Sequence, residues 1–231
     1  LMRRTLERIV AAAPGLMRRD PEAVGAVAEG LILSGIAIAF VGVSRPASGQ
    51  EHYFSHVWEM FALDRDLPTE LHGIQVGVGT VLCFRLYERL RALEPDEAKA
   101  RAFMAGFDPA AWEAQVRRVY GQAAQTLIDN EYNLWHKNDP AAHAQRLDRI
   151  LSRWPEIRAA METLPDAGQL LQLMEATGMP TRPEQIGQSP QDVRDALLTA
   201  RDTRDKYLTG SLLWDLGLLE PFAQWLAKEE Q

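Results

Sequence analysis

Apolar residues recur three and four positions apart over most of the chain. Leu6, Ile9, Val10 and Ala13 form one such stripe, and Val116, Val119, Tyr120, Ala123, Ala124, Leu127 and Ile128 form another. That spacing collects them on one helix face. Asp20-Pro21, Asp108-Pro109, Asp139-Pro140 and Ser189-Pro190 each pair a capping residue with proline at the first helical position. The capping oxygen accepts from an orphaned backbone N–H, and proline has no N–H to leave unsatisfied there. Period-two alternation is almost absent. It appears briefly over residues 75–81 but is broken by Gly77 and Gly79, so the stretch reads as a buried helix whose glycines let another backbone come close. Residues 24–41 are apolar almost all round and predict a central buried helix. The pattern predicts an all-α bundle forming one unit across residues 1–231, with the segment from residue 191 onward packed across one end. The loops are short except over residues 181–188.

Composition narrows the function classes. The chain has 231 residues, 46% of them hydrophobic and 25% charged, the balance of a globular protein. Its net charge is −7 with the basic residues scattered, which argues against nucleic acid as a partner. The longest apolar run, residues 31–43, is interrupted by Ser34, Gly35 and Gly42 and is shorter than the ~20 residues of a spanning helix, so no membrane span is expected. Cys83 is the single cysteine; it rules out an intrachain disulfide, points to a reducing compartment, with the cytoplasm as default, and is expected to be a buried thiol. Six tryptophans at irregular spacing read as packing anchors. The mixed-sign run Asp202, Arg204, Asp205 and Lys206 reads as a solvated helix face.

The candidate chemistry lies in residues 43–80. Pro46 and Gly49 force an irregular turn after the long apolar helix, and a new helix then carries His52 and His56 on one face. This is metal-ligand or ligand-plus-acid spacing, although a pair of ordinary hydrogen-bonded imidazoles has the same form. Tyr53 follows His52 where a zinc protease would need Glu. His72, followed by Gly73, opens the next helix and can bring a third imidazole to the same cleft. Glu51 is placed to cap the helix or to support His52. His136 and His143 have no such context and read as solvated polar-face residues.

Ser34-Gly35-Ile36-Ala37-Ile38-Ala39-Phe40, the segment from Ser44 to His52, Ser55-His56-Val57-Trp58-Glu59-Met60 and the segment from Leu71 to Thr80 together resemble the glycerol-1-phosphate dehydrogenase family. That family belongs to the metal-dependent polyol dehydrogenases and dehydroquinate synthases. The resemblance implies the helical, dehydroquinate synthase-like domain of an NAD(P)-dependent enzyme that reduces dihydroxyacetone phosphate to glycerol 1-phosphate. It puts divalent-metal ligands (Zn, Ni or Fe) at His52 and His72, a proton relay near the substrate at His56, and substrate contacts at Arg45, Ser44, Ser48 and Gly49. Ile74 stands where relatives commonly carry Glu, with Gln75 as a partial substitute. Two imidazoles and a carboxylate leave open positions on such an ion, which can then act as a Lewis acid on a carbonyl.

Nothing in the chain resembles the family's nucleotide-binding domain or its carboxylate ligand. The expectation is therefore the C-terminal helical part of a longer protein, binding a small phosphorylated substrate, inactive alone, and receiving NAD(P)H through the domain it lacks. A homo-oligomer is possible. The alternatives are a glycerol dehydrogenase or dehydroquinate synthase-like domain, or a non-catalytic helical binding or assembly protein.

Overall fold

The computed structural model describes residues 1–229, and among them there is no strand. Thirteen α-helices follow in order: α1 (Met2–Ala12), α2 (Pro21–Val41), α3 (Gln50–Asp64), α4 (His72–Arg91), α5 (Glu97–Ala105), α6 (Pro109–Tyr120), α7 (Ala124–Asn130), α8 (Pro140–Ser152), α9 (Trp154–Glu162), α10 (Ala167–Ala176), α11 (Pro190–Thr199), α12 (Thr209–Asp215) and α13 (Leu219–Glu229). The all-α expectation holds. All four proline-marked starts are helix starts: Asp20 accepts from the Glu22 N–H, Asp108 from Ala110, Asp139 from Ala142 and Ser189 from Asp192. At Ser189 the Asp192 carboxylate returns the bond to the Ser189 N–H at 2.9 Å, closing a capping box.

The core is built around α3 and α4. Phe54, Val57, Trp58 and Phe61 from α3 meet Val78, Leu82, Leu86 and Leu90 from α4, all buried, and α11 and α13 pack onto this pair. α11 and α13 therefore complete the core, a larger role than the end cover expected of this segment. Gly79 makes the closest part of the α3–α4 contact possible, since a Cβ there would lie 2.7 Å from the Glu51 carbonyl oxygen. The backbone approach anticipated for the Gly-containing helix is thus present, and its partner is the first turn of α3. Cys83 is buried in the same core, and burial pushes its thiol well above the ordinary range.

Three expectations are corrected. α2 is not the central buried helix: Leu31, Ile32 and Phe40 are 70%, 65% and 86% exposed. Its covered side rests on α1, where Ile9 and Thr5 close over Gly30 and Arg8 pairs with Glu29. Uniform apolarity records what a helix could bury, not which neighbours it has. The helix is also longer than the uninterrupted run suggested, and at 21 residues it is long and apolar enough by length and composition to cross a membrane. His143 is a core histidine, its Nε2 2.9 Å from the Asp215 carbonyl oxygen and its ring edge-on to Trp214. The 202–206 run is no solvated helix: Ala200–Asp202 is a single 3-10 turn, and Arg201 and Asp202 are buried.

The α3–α4 contact gives a paired test. Gly79→Ala is expected to destabilise the fold by about 1–3 kcal/mol through overpacking. Gly25→Ala on open α2, where nothing lies within 4 Å of an added Cβ, is expected to stabilise it by up to about 1 kcal/mol. Urea unfolding of the two variants checks both signs.

Candidate metal centre

The segment that carries the candidate site is shaped by its turns. α2 ends at Gly42, whose φ of 72° suits a residue without a Cβ, and Arg45–Ala47 form a single 3-10 turn. Gly49 caps α3, and its N–H donates to Glu51 Oε1 at 2.7 Å. Gln50 is buried, and its Oε1 accepts from the Gly210 N–H at 2.9 Å, which fastens the start of α3 to α12. His52 and His56 then fall one turn apart on α3, and His72 is the first residue of α4.

The three imidazoles converge. The His52 and His72 ring centroids are 5.4 Å apart, those of His56 and His72 5.3 Å, and those of His52 and His56 6.4 Å. Each ring has its Nδ1 against a carboxylate: His52 donates to Glu51 Oε1 at 2.9 Å, His72 to Glu59 Oε1 at 2.9 Å and His56 to Glu59 Oε2 at 3.4 Å. His72 Nδ1 is also 2.9 Å from Ser55 Oγ, whose hydroxyl donates to Gln75 Oε1 at 3.4 Å. Gln75 is in turn fixed by donating to the Glu70 carbonyl at 2.8 Å. Ile74, beside it, packs against the core.

A carboxylate on Nδ1 is a partner that metal-binding histidines commonly have. A carboxylate that accepts from Nδ1–H sets the tautomer and the ring plane and leaves Nε2 with its lone pair for an ion. A second arrangement differs from this one: one donor atom from each of His56, Glu59 and His72 lies within 4.8 Å of the others, close enough for a single ion with Glu59 as a ligand, and His52 is not in that group. Imidazole nitrogen with carboxylate oxygen suits zinc, nickel or ferrous iron. The residues present therefore fit a divalent transition metal.

Electrostatics favour the neutral ring of His56. Burial pushes His56 below its ordinary value, and Arg204 and His72 add to this while Glu59 opposes it. For Glu51 burial works against ionisation, but bonds from His52 and the Gly49 N–H outweigh it and hold the carboxyl below its ordinary value.

Sequence reasoning placed His52, His56 and His72 in one cleft, and they are together. Glu51, for which capping and ring support were both open, does both. Ser44, Ser48 and Gly49 are half-buried in the adjoining loop, and Ser44 Oγ accepts from Lys206 Nζ at 2.7 Å. Arg45 is exposed and touches none of the imidazoles; it stands on a neighbouring wall, near enough to Tyr53 to act on it electrostatically. Glu59 was missed. Its place one turn beyond His56 and two turns beyond His52 was the available signal, since those spacings share a helix face. A cavity of about 660 Å³ is lined by Met104, Phe107, Trp112 and His143 and contains none of the candidate residues.

The chain is an all-helical unit with a candidate metal site of carboxylate-paired imidazoles on two packed helices. Comparison narrows this. The chain is 25% identical over 219 residues to a glycerol-1-phosphate dehydrogenase [NAD(P)+] of Bacillus licheniformis, covering 95% of this chain and 41% of the relative. It is 28% identical over 176 residues to the enzyme of that name from Geobacillus stearothermophilus, covering 76% and 34% respectively. A match of 42% over 95 residues to the Thermococcus kodakarensis enzyme covers 39% and 26%. No family model matches the chain. The chain is thus similar to a part of the glycerol-1-phosphate dehydrogenases, and it spans well under half of their length.

A pH series tests the carboxylate at the start of α3. Because the Glu51 pKa is lowered by folding, the stability it contributes is present above its unfolded value of about 4.3 and is lost as the pH falls through the folded value. The stability difference between the wild type and Glu51→Gln is expected to shrink as the pH is lowered from about 6 to about 3. Urea unfolding at each pH reads it, and a constant difference would mean that Glu51 is not held as described.

Proposed function

We propose that this chain is the helical, metal- and substrate-binding part of an NAD(P)-dependent glycerol-1-phosphate dehydrogenase, which interconverts dihydroxyacetone phosphate and glycerol 1-phosphate. The observation that carries the reading is the convergence of His52, His56 and His72, each with Nδ1 on a carboxylate.

His52 and His72 hold a divalent metal, zinc, nickel or iron, through their free nitrogens. When bound, the ion supplies Lewis-acid polarisation of the substrate oxygen. Glu51 and Glu59 keep the rings in the tautomer that leaves Nε2 unprotonated. His56, kept neutral by burial and anchored on Glu59, exchanges the proton of the substrate hydroxyl at its Nε2. Its lowered pKa keeps the ring in the neutral form that can accept this proton. Ser44, Arg45, Ser48 and Gly49 form the substrate-facing loop, and Arg45 offers a planar donor fork to phosphate or hydroxyl oxygens. Hydride passes to or from a nicotinamide; no residue of this chain is assigned to that cofactor. A cytoplasmic location fits such a metabolic role.

Zinc titration of the chain, followed by calorimetry, tests the proposal. One equivalent is expected to bind, and His72→Ala is expected to weaken binding by about 100-fold or more, since a ligand is lost as well as its orienting bond. Unchanged zinc affinity in His72→Ala would overturn it.

A further inference from the structure

Residues 131–135 continue α7 as a single π-helical turn, in which the His136 N–H donates back to the Glu131 carbonyl at 2.9 Å and His136 takes a φ of 50°. Such turns are rare and occur mostly at functional sites. Glu131, Tyr132 and His136 from this turn all line the cavity of about 660 Å³, together with Phe107 and Trp112 from around the start of α6 and Asn138 from the loop before α8.

The wall is largely aromatic and is braced by its own ring contacts. Trp112 and Tyr132 stand edge-on with centroids 5.9 Å apart, and Phe107 and His143 both stand edge-on to Trp214, at 5.7 and 5.5 Å. An apolar wall with a few polar groups is the usual form of a small-molecule site, and the volume lies within the ~300–1,000 Å³ such sites have.

Two polar atoms of this wall are buried without a partner. Glu131 is 3% exposed; its Oε1 accepts from the Asn138 N–H at 2.5 Å, and its Oε2 has no donor. Asn138 gives its Oδ1 to Arg201 at 2.8 Å, and its Nδ2 has no acceptor. Most buried polar atoms in folded proteins are satisfied, so an orphaned acceptor and an orphaned donor on one wall call for a guest that supplies both bonds. Burial pushes the Glu131 carboxyl above its ordinary value, against the Asn138 bond and the fields of Arg201 and Lys137.

The same two atoms select the charge of the guest. A carboxylate has no donor for Glu131, and an ammonium has no acceptor for Asn138. Arg101, the one arginine or lysine on the wall among the described residues, is held by Glu97 at 2.8 Å and Asp148 at 2.7 Å, so no cation there is free to receive an anion. A hydroxyl both donates and accepts.

We infer that this cavity is a second ligand site, which takes a small uncharged molecule with a flat apolar body and a hydroxyl end that donates to Glu131 Oε2 and accepts from Asn138 Nδ2. The inference goes beyond the dehydrogenase reading and does not rest on it, since the cavity shares no residue with the imidazole cluster.

Nuclear magnetic resonance titration of the chain tests this, with benzyl alcohol, acetophenone and toluene as probes and the Trp112 indole N–H and Asn138 side-chain amide as reporters. Benzyl alcohol is expected to shift both signals and to saturate in the millimolar range, as so small a molecule allows. Toluene, with no polar end, and acetophenone, which only accepts, are each expected to bind about tenfold more weakly. Glu131→Gln keeps the acceptor for the Asn138 N–H and puts a donor where Oε2 stood. In that variant acetophenone is expected to bind more tightly than benzyl alcohol. Ala105→Trp, at the exposed end of α5 on the same wall, is expected to abolish the shifts while the circular dichroism spectrum is kept, and it carries the test if Glu131→Gln does not fold. Toluene as tight as benzyl alcohol, an unreversed order in folded Glu131→Gln, full binding in Ala105→Trp, or no shift with any probe would overturn the inference. Zinc binding that depends on His72 is expected in Ala105→Trp as in the wild type, so this site and the metal assignment fail separately.

Discussion

The candidate site depends on the close approach of α3 to α4 where Gly79 faces the Glu51 carbonyl. His52 and His56 are carried by the first two turns of α3, and His72 by the first residue of α4. Nothing local to either helix fixes the distance between them. The missing Cβ at Gly79 lets the backbones meet, and Phe54, Val57 and Trp58 against Val78 and Leu82 hold them there with buried apolar surface. The polar side follows from the same packing. Once the helices are in register, Glu59 on α3 reaches His72 on α4, and Ser55 and Gln75 bridge the two.

Neutral imidazoles are useful to a metal and poor neighbours for cations, and the Tyr53 ring stands between His56 and Lys206. On one side of Tyr53 the carboxylates of Glu51 and Glu59 face the histidines. On the other side cations crowd together: burial and then Arg201 lower Lys137, and burial and then Arg204 and Arg45 lower Lys206. The field of Arg204 extends to His56 and helps to keep it uncharged.

What could be read from the sequence follows the range of the interactions. The proline-marked caps are local chemistry, and all four were legible. The His52–His56 pair and the turn before it were legible because helix periodicity and Gly49 act within a few residues; convergence with His72 was legible as a possibility opened by Gly73 and the glycines behind it. Burial was not. Residues 24–41 carry apolar groups on every side, and only tertiary neighbours decide that α2 rests on α1 with Leu31, Ile32 and Phe40 left open. For the same reason the 202–206 run looked like a solvated helix face, whereas long-range contacts bury Asp202 and bring Lys206 to Ser44, more than 160 positions earlier. Glu59 lay within reach of periodicity, but its role needs His72, which comes from another helix.

In the proposed site, carboxylates hold Nδ1 of the three histidines so that Nε2 is offered to an ion. Anomalous diffraction from a zinc-soaked crystal of this chain tests it most directly. The expected result is one peak at bonding distance, about 2.0–2.1 Å, from Nε2 of His72 and a second imidazole, with Glu59 still on His72 Nδ1. A peak on Nδ1 of His72 that displaces Glu59, or zinc bound away from all three rings, would contradict it.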